Sequence, residues 1–296
     1  MHTKQIKAMK IIRIAGLVAG LAAITIISTS CVITVNKKAV RIFAKDKFVE
    51  ASGVITTRDT TVSPFTKLSV SGPLEVTFTQ SAEQPSVKIT TSDNIQEYME
   101  VKIEGNTLNV GLKDGPARIS EDIRVDIVGP AADALKLAGS VDFTCVALGV
   151  EAVDFEMEVS GSTDARIASI VAADFDLASA GSCDLSLGAV KADAFKCALA
   201  GSGDITVGSV DADEVKVSVA GSGDMDMYLN VNELSASIAG SGELALKGSV
   251  SRLAKYSIAG SGHIDAKDIK CPDTSYETKG GSITYQDADG RLVKED

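Results

Sequence analysis

Five aspartates recur at one phase of a repeated phrase: Asp142, Asp164, Asp184, Asp204 and Asp224, with Glu243 and then His263 in the same place one and two repeats later. Acids returning once per repeat could do one of two things. They could supply oxygen ligands to a divalent cation, or they could be corner residues that hydrogen-bond nearby backbone in solvent. Stacked on successive turns they would lie about 5 Å apart, a repulsion on the order of 1 kcal/mol per contact in water. Calcium-binding nonapeptide solenoids place Gly-Gly-x-Gly-x-Asp twice per turn at nine-residue spacing, and this repeat does neither. That favours the corner reading and leaves a cation column over Asp142, Asp164, Asp184, Asp204 and Asp224 as the alternative. Cys145, Cys183, Cys197 and Cys271 could form two disulfides in an oxidising compartment, but no CxxC or Cys/His spacing points to a metal, and His263 is the only histidine beyond residue 30. They read as small core residues or isolated thiols. The expectation is no catalytic residue and no cofactor.

The elements that position these acids are visible in the repeat itself. The phrase runs AGSVD, SGSTD, AGSCD, AGSGD, AGSGD, AGSGE and AGSGH, led by Gly139, Gly161, Gly181, Gly201, Gly221, Gly240 and Gly260. These glycines are 20 residues apart, except for 22 between Gly139 and Gly161 and 19 between Gly221 and Gly240. Before each glycine alternate positions are apolar, as in Phe155, Met157 and Val159 or Val215, Val217 and Val219, and the alternation resumes after it, as in Leu185 and Leu187 or Ile205 and Val207. Period two over short runs is a strand signal. One more apolar residue follows (Ile170, Val190, Val210), then a polar turn such as Lys191-Ala192-Asp193. A strand pair of this size buries its apolar face only by coiling and stacking equivalent strands about 4.8 Å apart. The fold class expected is all-β: a single-chain β-solenoid, in the form of a right-handed parallel β-helix, with rungs of about 20 residues. Glycine at the corner permits positive φ and close rung approach, and the serines after it (140, 162, 182, 202, 222, 241, 261) form a column.

Composition agrees with a narrow, regular interior: no Trp, 4% aromatic residues and 26 Gly against 6 Pro. Formal net charge is −11, and because the first 30 residues carry four cations and no acid, the rest of the chain stands at −15. Phosphate binding needs a cationic footprint, so nucleic acid is disfavoured as a partner.

Residues 1–30 read as a signal peptide: a basic, acid-free stretch, an apolar run over 14–27, then Ser28-Thr29-Ser30 before Cys31. The small residues ahead of Cys31 are similar to a bacterial lipobox, which makes Cys31 the candidate lipid anchor and the membrane a partner through that lipid. A retained helix over 14–35 is the competing reading, barely long enough to span. The expected organisation is a tether over 31–49, irregular β rungs over 50–137, the regular repeat over 138–285 and a tail over 286–296. Strands are expected in the irregular part at 67–70, 74–79, 86–90, 101–104, 107–112 and 123–128, with a helical turn at 94–99 and a tight turn at Gly105-Asn106. An exposed solenoid end is an unpaired edge, so this part is also expected to cap the stack.

Phe65 to Val76 (FTKLSVSGPLEV), the Asn94 region, GNTLNV at 105–110, IRVDIVGP at 123–130 and the AGSGD repeats together resemble the putative auto-transporter adhesin head GIN domain family, over roughly residues 50–285. The resemblance implies a β-helical fold and a cell-envelope setting, and brings no catalytic or ligand residues. Surface-exported lipoproteins of Bacteroidota often carry acids just after the anchoring Cys, whereas Val32–Lys38 (VITVNKK) is apolar then basic. The localisation expected is therefore the outer membrane, facing either the periplasm or the cell surface. The function expected is a non-enzymatic lipoprotein, adhesin-like or a scaffold, presenting a β-helical face to a protein or glycan. The alternatives are a polysaccharide-acting β-helix enzyme and a periplasmic accessory of an envelope signalling system.

Overall fold

Alternating apolar side chains, interrupted every 20 residues by a glycine corner, produce a parallel β-solenoid in the computed structural model, which describes residues 48–113 and 118–295. All of these belong to one compact unit. The expected signal peptide, Cys31 and the expected tether up to residue 47 lie outside the described residues.

The irregular part comprises β1 (Phe48–Val49), β2 (Ile55–Thr61), β3 (Lys67–Ser71), β4 (Leu74–Gln80), β5 (Ser86–Ser92), the single turn α1 (Asp93–Gln96), β6 (Met99–Glu104), β7 (Thr107–Leu112), β8 (Arg118–Ile119) and β9 (Ile123–Gly129). The regular part begins with β10 (Ala134–Gly139), β11 (Val141–Gly149), β12 (Phe155–Gly161), β13 (Asp164–Val171), β14 (Asp174–Gly181), β15 (Asp184–Lys191) and β16 (Ala194–Gly201). Three long strands then run on through their bends: β17 (Asp204–Gly221), β18 (Asp224–Gly240) and β19 (Glu243–Gly260). The chain closes with β20 (His263–Lys270), β21 (Thr274–Lys279), β22 (Ser282–Gln286) and β23 (Leu292–Glu295).

Strands entering the glycine corner stack on one another in one ladder, and strands leaving it stack in a second. In the first, Phe155, Phe175, Phe195, Val215 and Leu234 fall in register, as do Met157, Leu177, Cys197, Val217 and Ala236. All ten are buried. Phe175 lies 5.4 Å from Phe155 and 5.0 Å from Phe195 between ring centroids, so a short aromatic stack fills this part of the interior. The 19-residue repeat is absorbed in the second ladder: Val207 pairs with Met227 but Val210 with Leu229, so Gly208 and Ser209 stand opposite the single Tyr228.

The corner demands glycine because rungs touch backbone to backbone there. Gly221 has φ 134°, and a Cβ on it would run into the carbonyl oxygen of Gly201 one rung away. The same amide-to-carbonyl pattern repeats along the stack: the Ser182, Ser202 and Ser222 amides donate to the Gly161, Gly181 and Gly201 carbonyls at 2.9, 3.0 and 2.9 Å.

All six strands expected in the irregular part are present, and Gly105-Asn106 joins β6 to β7 in an antiparallel hairpin with Gly105 at φ 60°. Their spatial order is not the chain order. The rung β3–β4 is built first, the rung β7–β9 packs on its outer side, and β10–β11 pack on its inner side. On the outermost rung, β6 covers β7 and the β2–β5 pair covers β9, all antiparallel. Ile95 of α1 and Met99 close the interior at 0% and 1% exposure. A half-buried carboxylate pins this cap. Glu121 accepts from Thr91 Oγ1 at 2.5 Å, the Ser92 amide at 2.6 Å and Ser92 Oγ at 2.7 Å. Burial alone would raise its carboxyl, but the three donors outweigh that and hold it below the ordinary value.

Candidate functional site

The solenoid brings the corner acids into one line. Glu75 pairs in register with Asp142, Asp142 with Asp164, Asp164 with Asp184, Asp204 with Asp224, Asp224 with Glu243, and Glu243 with His263. Their oxygens are partly committed to the stack. Asp184 Oδ1 accepts the Asp204 amide at 3.4 Å, and Asp224 Oδ1 accepts the Glu243 amide at 2.8 Å. Asp142 faces Arg166 at 3.4 Å and Glu75 faces Arg124 at 3.3 Å. These are corner duties, in which an acid on one rung caps the backbone of the next. Among the described residues no three carboxylates, imidazoles or thiols converge as a metal site requires. At the end of the line, His263 Nδ1 lies 2.8 Å from Ser282 Oγ and 3.0 Å from its carbonyl.

The cysteines take the places of small apolar residues. Cys145, Cys183 and Cys197 are buried free thiols and Cys271 is half-buried. Burial pushes the Cys145 thiol up to about 11 and that of Cys197 higher still. At Cys145 and Cys197 burial therefore favours the neutral thiol over the thiolate.

A second line of polar residues runs along the far corner, where the chain turns from the second ladder back to the first. There each rung contributes a triplet with its middle residue turned in: Lys191-Ala192-Asp193, Asp211-Ala212-Asp213, Asn230-Val231-Asn232 and Ser249-Val250-Ser251. Register pairs Lys191 with Asp211, Asp211 with Asn230, and Asn230 with Ser249. Ala172, Ala192, Ala212 and Val231 are buried between the two polar rows. The result is an open trough with a cavity volume of about 470 Å³. Across four rung steps of about 4.8 Å it runs roughly 19 Å.

Within the trough the side chains are coupled along the stack. Asn232 Nδ2 donates to Asp213 Oδ1 at 2.8 Å, Ser251 Oγ donates to Asn232 Oδ1 at 2.5 Å, and Ser249 Oγ lies 3.2 Å from Asn230 Oδ1. At one end Lys191 Nζ meets Glu151 at 2.7 Å. That hydrogen bond, with the opposite charge behind it, raises the lysine and lowers the glutamate from their ordinary values. Beside it Ala152 sits at φ 67°, a left-handed conformation rare outside glycine. Five anionic or amide groups therefore face solvent along the trough, a surface rich in directional acceptors, while the Ala and Val side chains between them turn into the core. The turn triplets are readable in the sequence one at a time. That they form a trough follows only from the rung-to-rung register, and the signal is the polar–apolar–polar phase kept in four successive turns.

The fold and this surface define a class: a capped parallel β-solenoid whose polar groups are repeated along its corners. The match to the family described as putative auto-transporter adhesin, head GIN domain, spans residues 64–230 and 207–292, and the chain belongs to that family. Solved structures share the architecture. A putative adhesin from Parabacteroides merdae aligns with a TM-score of 0.71 at 21% identity, covering 81% of this chain and 98% of that one. A putative adhesin from Parabacteroides distasonis gives 0.68 at 21% identity, covering 81% and 100%. A protein from the same organism described as a putative lipid binding protein gives 0.57 at 22% identity, covering 81% and 99%. No curated protein matches this chain. The family and these neighbours carry adhesin or binding names rather than enzyme names.

Proposed function

We propose that this protein is a non-enzymatic cell-envelope lipoprotein, anchored in the outer membrane through Cys31, whose solenoid holds a glycan along the far-corner trough. The observation that carries the reading is the trough itself. Sugar hydroxyls donate and accept at once, and carboxylates and carboxamides are the side chains that answer adjacent hydroxyls in pairs. Asp193, Asp211, Asp213, Asn230 and Asn232 supply them on successive rungs. The charge balance selects among glycans. Lys191 is neutralised by Glu151, so three aspartates remain and neutral or amino sugars are favoured over acidic ones.

Adhesin naming in the family supports an exported, binding role, and the lipobox-like Ser28-Thr29-Ser30-Cys31 supports the anchor. A glycan array probed with the full chain tests the binding claim. Retention of neutral or amino glycans is expected, and an array with no retained glycan would remove the reading. Labelling of cells with palmitate, lost in Cys31→Ala, tests the anchor. Protease shaving of intact cells assigns the face of the membrane: cleavage marks the surface and protection the periplasm.

A further inference from the structure

The two ends of the solenoid are finished differently. At the end where the described chain enters, both ladders are covered by antiparallel strands and the interior is sealed by Ile95 and Met99. At the other end only one ladder is covered. β23 adds a layer on β22, whereas β21 pairs with β19 on one side and, among the described residues, with no strand on the other. The last rung is therefore a step, one strand higher on one side than on the other. The inward positions of β21 show what the step leaves open. Tyr256 is 3% exposed, but Tyr276, in register with it one rung on and packed only on Tyr285 at 5.5 Å between ring centroids among the described rings, is 42% exposed; Leu292, in the outward row of β23 opposite Gln286, is 65% exposed.

We propose that this step is completed by a second copy of the chain, joined end to end about a two-fold axis. An axis through the glycine corner and perpendicular to the stack exchanges the two ladders. It places the β23 of one copy in the empty layer above the β21 of its partner, and does so reciprocally. β21 runs toward the glycine corner, and β23, being antiparallel to β22, also runs toward it. The two strands therefore meet parallel, continuing the pairing used by every regular rung. Inward faces remain inward: Val293 and Glu295, opposite Tyr285 and Ile283, are the inward residues of β23, Glu295 keeps its hydrogen bond to Tyr276 of its own chain, and the outward row of β21, where Glu277 is paired with Lys279, lies beside the outward row of the partner's β23. Such an interface is isologous and closes after two copies. The main chain is ready for it. The Asp273 carbonyl accepts from the Ala254 amide at 2.9 Å. Alternate residues of a parallel strand bond to opposite neighbours, so the amides of Tyr276 and Thr278 face the open layer.

Sedimentation equilibrium of the full chain in density-matched detergent, up to roughly 100 μM and so within the range of weak complexes, is expected to show a monomer–dimer equilibrium. Thr278→Pro removes a donor on the open edge without touching the β19 ladder, and Leu292→Asp charges an exposed position on β23. Each is expected to weaken the dimer at least tenfold with the thermal midpoint unchanged. A monomer across the whole range, or a dimer insensitive to both substitutions, would overturn the proposal. Because residue 48 enters at the opposite end, a dimer of anchored chains would bridge two membranes, a consequence that rests on the anchor proposed above. Light scattering by vesicles carrying the full chain reads that bridge separately. A dimer in detergent with no attachment to vesicles would fail the anchor alone.

Discussion

At the scale of single residues, the solenoid is held by positions that admit one kind of side chain. The glycine corner is the strictest. With φ 134° and the Gly201 carbonyl against its α-carbon, Gly221 leaves no room for a methyl group. Gly221→Ala is expected to destabilise by about 2 kcal/mol or more, from left-handed strain and from rung separation together, as read by the midpoint of chemical denaturation. The inward columns contain one orphan. Ser179 stands between Val159 and Leu199, 3% exposed, and its hydroxyl has no partner. Removing it relieves a buried polar group, so Ser179→Ala is expected to be neutral or stabilising by up to about 1 kcal/mol, and a loss of stability would show that the hydroxyl is satisfied after all. Cys145 gives a pH dependence. Its thiol rises from 9.0 to about 11 on burial. A raised folded value means the stabilisation is complete below pH 9 and is lost as the pH climbs toward 11, because only the unfolded chain gains by ionising. Urea midpoints should therefore fall between these limits, less steeply in Cys145→Ala; equal slopes in the two proteins would refute the assignment. The thiols also show what was legible early. Cys197 is an inward residue by alternation alone, and the structure buries it to 1%.

At the scale of elements, period-two alternation is local and survives in the strands of the repeat up to β20, with β21 the exception, which is why most of 138–285 reads directly as stacked rungs. The irregular part is legible strand by strand but not in order. Nothing in residues 67–80 announces that their neighbours will be 107–129 on one side and 134–149 on the other, because parallel pairing partners are chosen by packing, not by adjacency. β2 escaped for a different reason: ITTRDTT lies half-exposed over the cap and has no apolar face to betray it. The tail contributes β23 as an edge layer, again a strand whose role depends on its partner. The element most sensitive to a single change is the aromatic stack. Phe175 touches a ring on each side, and with all three rings buried there is little to collapse into the void. Phe175→Ala is expected to cost about 3–5 kcal/mol. Substitution of Val215, two rungs beyond Phe175, should cost less, and a reversed order would contradict the stacking account.

At the scale of the whole molecule, repetition converts two turn signals into two lines of polar residues, both hydrogen-bonded along the stack, of which the far-corner line borders a trough. The glycine-corner acids were the first candidates for chemistry, and several of their oxygens are engaged by the next rung's amides or by arginine. The far-corner triplets looked like plain turns, yet stacking aligns them into a trough with solvent-facing carboxylates and amides. In the function proposed above, this trough, and not the glycine corner, holds the ligand. The most direct test compares two double variants on a glycan retained by the full chain: Asp211→Ala with Asn230→Ala in the trough, and Asp164→Ala with Asp204→Ala at the corner. The trough variant should bind at least tenfold more weakly, with the corner variant unchanged within about twofold, since losing paired polar contacts costs 1–3 kcal/mol. Unchanged binding by the trough variant, or a loss confined to the corner variant, would contradict the account.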